Sequence, residues 1–120
     1  MIELIEDIPA NVLGFVASGE VTASDYETVL IPAVESRLIS HKKVRLFYHL
    51  APTFSGFTSG AMWDDAKLAF GHRKSWQKVA IVTDVDWIKS ASSIFKFAIP
   101  CPLKVFCNSA YAEALVWVAD

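Results

Sequence analysis

A chain of 120 residues, 53% hydrophobic and 20% charged, is long enough to bury one core and too apolar to remain disordered. Its formal net charge of −2 argues against nucleic acid as the main partner. No apolar run is long enough for a membrane span, and the start (Met1-Ile-Glu-Leu-Ile-Glu-Asp) has neither a basic stretch nor a cleavage site, so one cytoplasmic domain over residues 1–120 is expected.

In chain order, residues 2–6 read as a short strand, with a turn at Pro9-Ala10-Asn11. Val12 to Ser18 is apolar at nearly every position, the pattern of a strand covered on both faces, and Gly19 is expected to close it. Ser24 and Glu27 have capping-box spacing. The helix they open would bury Tyr26, Leu30, Ala33, Val34 and Leu38, with Pro32 kinking it. A strand from Lys43 to Leu50 is followed by an expected loop, Ala51 to Gly60, rich in Pro, Ser, Gly and Phe. A second helix is expected from about Ala61 to Phe70. Then come a buried strand at 78–83, a third helix capped by Asp84 or Asp86 that ends before Pro100, and a strand at Leu103 to Cys107. A last helix, capped by Asn108 or Ser109, would pack Tyr111, Ala114, Leu115 and Val118 inward. This alternation predicts an α/β fold, a mainly parallel five-stranded sheet with four helices.

In this order, the opening strand pair, Phe57-Thr-Ser-Gly-Ala-Met-Trp-Asp-Asp, Val79-Ala-Ile-Val-Thr-Asp, Val105-Phe106 and Ala112-Glu-Ala-Leu-Val-Trp resemble the SpoIIAA-like group, relatives of STAS domains and of the CRAL-TRIO lipid-carrier fold. The likeness spans almost the whole chain and implies a (βα) superhelix. STAS anti-sigma antagonists carry an Asp-Ser-Ser-Gly sequence whose first Ser is phosphorylated. Phe57, Thr58, Ser59 and Gly60 stand at the matching positions, so Thr58 and Ser59 are the candidate phosphosites, although Phe57 replaces the acid. Their other reading is a plain helix cap.

Catalytic patterns are missing from the sequence. Gly56-Phe-Thr-Ser-Gly60 is out of register for a nucleophile elbow. His41, His49 and His72 share no ligand spacing and read as surface or strand-end residues. Asp64 and Asp65 are adjacent, so on a helix they diverge by about 100° and read as N-terminal helix charges. Cys101 and Cys107 read as reduced core cysteines. No metal or cofactor is expected.

The charge is unevenly placed. Residues 1–36 hold seven acids and no Lys or Arg, leaving eleven bases against six acids in the rest. Such asymmetry marks either a face for an anionic surface or an accident of exposed loops. The third predicted helix gathers Trp87, Ile88, Ala91, Ile94, Phe95 and Ala98 on one side and Lys89 and Lys96 opposite, the composition of an interfacial helix or of a bulky crossover helix. The second adds Met62, Trp63, Ala66 and Phe70, bordered by Lys67, Arg73 and Lys74, and the preceding loop brings Phe54 and Phe57. These residues exceed what two crossover helices need to cover a sheet. The expected function is a non-catalytic module that binds a lipid or other hydrophobic molecule and meets membranes peripherally through its second and third helices. The lysines and Arg73 would face anionic headgroups. The alternatives are a STAS-like regulatory module with a protein partner, and an enzyme active at an interface. The sequence leaves the oligomeric state open.

Overall fold

The computed structural model describes residues 1–71, 73–95 and 101–120, with side chains for all of these except 69, 70, 73 and 92–95. Five strands, β1 (Ile2–Ile5), β2 (Val12–Val21), β3 (Val44–Phe57), β4 (Trp76–Val82) and β5 (Leu103–Phe106), lie side by side in sequence order. The sheet is mixed: β1 runs antiparallel to β2, and the remaining neighbours are parallel. Helical turns α1 (Ala23–Asp25) and α2 (Ile31–Ser40) join β2 to β3, α3 (Ser59–Gly71) joins β3 to β4, α4 (Asp86–Phe95) follows β4, and α5 (Tyr111–Ala119) ends the chain.

Each face of the sheet has its own core. Leu13, Phe15, Leu46, Tyr48, Leu50 and Val79 pack with Tyr26, Leu30, Val34, Ala61, Leu68 and Ile88 from the crossover helices. On the other face Val12, Phe47, Ala80, Val82 and Phe106 meet Ala114 and Val118 of α5. Strands covered on both sides explain the unbroken apolar run in β2.

Several local expectations are corrected. The first helix is capped by Thr22, not Ser24: its hydroxyl accepts from Asp25 N–H at 3.3 Å, and the Asp25 carboxylate accepts from Thr22 N–H at 2.8 Å. That backbone bond holds the Asp25 carboxyl below the usual range. Pro32 does not break the path. A π-helical stretch, Tyr26–Leu30, separates α1 from α2 and puts Pro32 in the first turn of α2, where its missing N–H is harmless.

The segment expected as a loop after Leu50 continues β3 to Phe57, and Gly19 does not end β2. Ala17 pairs with Leu50, but Gly19 pairs with Phe54, so the ladder skips the stretch holding Pro52. Gly19 (φ 58°) and Gly56 (φ 153°) take the left-handed backbone this irregular pairing requires. At the C-terminal end Asn108 does not cap a helix with its side chain. A short 3₁₀ turn, Asn108–Ala110, precedes α5, and the Asn108 side chain is used elsewhere.

Candidate functional site: a pocket between α3 and α4 with a polar wall

The spacing of β3 and β4 places the floor of the site. Tyr48 and Leu50, two residues apart, project to the face covered by α3 and α4, and Ile81 is the register partner of Tyr48. Above them Met62 and Asp65 come from α3, Trp87, Ile88 and Ala91 from α4, Phe57 from the end of β3, and Tyr26 from the π-helical stretch. Together they enclose a cavity of about 150 Å³. Phe57 meets Tyr26 and Trp87 edge-on, with ring centroids 6.4 and 6.2 Å away.

One side of this apolar cavity is polar. The Tyr26 hydroxyl donates to Asp65 Oδ1 at 2.7 Å and lies 3.0 Å from the Tyr48 hydroxyl. Both tyrosines are buried. Burial, reinforced by the nearby Asp65 charge, pushes both phenols well above their usual range, so they stay neutral. The protein around Asp65 strips water from its carboxylate and raises its pKa, and the Tyr26 hydrogen bond only partly opposes this. Among the described residues, no Lys, Arg or His lines the cavity.

Phe57, Met62, Trp87, Ile88 and Ala91, expected from the sequence, line the cavity. Phe54 stands behind, its ring 4.9 Å from that of Phe57. Trp63 points away and is 66% exposed, because its neighbour Met62 takes the inward direction. Ala66 is half-buried and is not a lining residue. The expectations for Phe70, Arg73, Ile94 and Phe95 rest on side chains outside the described ones, and Lys96 and Ala98 lie outside the described residues altogether. Lys67 is ion-paired with Asp64 at 3.8 Å, and Lys74 is exposed. Thr58 caps α3, accepting from Ala61 N–H at 3.1 Å, while Ser59 is exposed at the first position of that helix.

The two aspartates depart from their sequence reading. They sit in the middle of α3, not its first turn. Asp65 turns to the pocket, whereas Asp64 is 5% exposed, and its Oδ2 has no hydrogen-bond partner among the described residues. Tyr26, Tyr48 and Asp65 were missed as a unit, since they lie 22 and 39 residues apart and only the crossover joins them.

A second polar cluster lies on the opposite face. Asp84 accepts from the backbone and side-chain N–H groups of Asn108, both at 3.0 Å. That orients Asn108 Oδ1 toward His49 Nε2, 2.7 Å away, so His49 carries its proton on Nε2. The His49 ring also meets Tyr111 edge-on. His49 is therefore a held residue and not a free strand end. Cys107, read as core, is exposed, and its thiol is held below the usual range by Ser109. Cys101 is half-buried against the core. Among the described residues no group of three His, Cys, Asp or Glu could hold a metal, and no helix is long and apolar enough to cross a membrane.

The five-stranded sheet in sequence order, with its crossover helices on one face, defines a STAS-type module. The model of the SpoIIAA-like family matches residues 12–119, and the chain belongs to that family. Among solved structures the chain is similar to an uncharacterised protein from the DUF3478 family with a SpoIIAA-like fold from Shewanella loihica PV-4, at 27% identity and a TM-score of 0.80, covering 98% of this chain and 93% of that one. No functionally curated protein matches.

Proposed function

We propose that this module takes a hydrophobic molecule, or the end of a longer one, between α3 and α4, and meets membranes peripherally through the same helices. The cavity carries the reading: among the described residues its wall is aliphatic and aromatic apart from one carboxylate and two phenols. A dry cavity of about this size holds a benzene-sized ring, so a whole acyl chain would not fit. Met62 and Trp87 line it yet are 52% and 48% exposed, and Trp63 beside them is 66% exposed. Large apolar side chains around an opening favour the headgroup boundary of a membrane.

The test combines toluene titration, followed by NMR of the Met62 methyl, with flotation on anionic vesicles. The wild type should respond to both. Met62→Ser with Trp63→Ser alters side chains that are more than half exposed, so it should leave the fold intact while weakening flotation. Indifference of the wild type to toluene and to vesicles would contradict the proposal.

A regulatory reading is favoured by one observation, the exposure of Ser59 at the start of α3, where a phosphate would face the positive end of the helix. Phosphopeptide mass spectrometry of the native protein tests it: a phosphate on Ser59 would support it.

A further inference from the structure

We infer that the ligand of this pocket carries a hydrogen-bond donor, an alcohol, phenol or amine, on an apolar body about one ring in size, and that carboxylates are refused. This rests on the pocket being a ligand site and concerns the chemistry that the site selects.

Each phenol has one O–H. That of Tyr26 goes to Asp65 Oδ1. The contact between the two hydroxyls must then be made with Tyr48 donating and Tyr26 accepting. Both protons are spent inside the cluster. What remains unused is Asp65 Oδ2 and the lone pairs of the Tyr48 oxygen, on two residues that line the cavity, and among the described residues nothing is shown donating to either.

The polar wall thus offers acceptors, at Asp65 and at the Tyr48 oxygen. A ligand O–H or N–H placed there gains a hydrogen bond on an otherwise apolar wall. An apolar ligand of the same shape leaves a desolvated carboxylate oxygen unpaired, the situation in which a site built for a donor discriminates most strongly. A carboxylate would bring further acceptors to a wall whose hydroxyl protons are already used, and no cationic side chain is among the described residues that line the cavity.

Titrations of the full chain at pH 7.5 with toluene, phenol and benzoate, read at the Met62 methyl, test this. Phenol should bind about tenfold or more tightly than toluene, and benzoate should not bind measurably. Benzyl alcohol against benzylamine then distinguishes a neutral donor from an ammonium, either of which would support the inference. Asp65→Asn adds a reversal. With Tyr26 keeping Oδ1, the amide N–H₂ replaces Oδ2, so phenol should lose its advantage over toluene and benzaldehyde, an acceptor, should gain. Equal binding of phenol and toluene, or benzoate binding as well as phenol, would overturn the inference while leaving the pocket a ligand site. Binding of none of them would overturn both. Should Asp65→Asn fail to fold, the wild-type series decides alone.

Discussion

The two faces of the sheet are covered in contrasting ways. On the α5 side Phe47 is fully buried and edge-on to Tyr111, and Lys78 lies 4.4 Å over the Trp117 ring. Polar groups there are linked to one another: Asp84 accepts from Asn108, and Asn108 Oδ1 accepts from His49 Nε2. On the α3–α4 side three polar groups are also linked, but the chain ends in acceptors facing a cavity. A polar cluster between strand ends fixes loops, and one that leaves acceptors beside a cavity is a place for a ligand.

The contrast is most exposed to failure at paired phenylalanines. Phe47→Ala should cost about 3–5 kcal/mol in urea unfolding, the range for emptying a fully packed aromatic site. Phe57→Ala, at a half-exposed position beside an existing cavity, should cost about 1–2 kcal/mol. Similar losses at both positions would mean that the two faces are packed alike.

Asn108→Ala should cost about 1–2 kcal/mol, because it removes the partner of His49 and one of the bonds to Asp84. Tyr48→Phe should cost about 1 kcal/mol, the loss of one hydroxyl pair, while preserving the shape of the cavity.

The smallest effect on stability should have the opposite sign. Because burial raises the Asp65 pKa in the fold, its carboxyl contributes stability that is present below the unfolded value near 3.8 and is lost as pH rises through the folded value. Asp65→Asn is neutral throughout and still accepts from Tyr26, so its melting temperature should exceed that of wild type at pH 7. The difference should vanish below about pH 4. A variant less stable than wild type at pH 7 would show that Asp65 serves the fold rather than the pocket.

The architecture was legible because its signals are local. The apolar run of β2 announced a strand covered on both faces, and the 100° periodicity of α3 and α4 grouped Met62, Trp87, Ile88 and Ala91 toward one space. Pro52, Ser55 and Gly56 suggested a loop because their composition carries no record of β2 as a pairing partner or of the register break that accommodates a proline. Periodicity also could not choose between the adjacent Met62 and Trp63. The polar wall was not readable at all. Tyr26 looked like a core residue, Tyr48 lay within an expected strand and Asp65 read as a charge at a helix N-terminus, and only the packing of three separate elements joins them.

The most direct test of the account is a methyl-labelled NMR titration with phenol that reads both faces at once. Shifts at Met62, Leu50, Ile81, Ile88 and Ala91 should saturate together, with Ala80, Val82 and Val118 on the α5 face unmoved. Shifts spread equally over both faces, or none at the five pocket methyls, would contradict it.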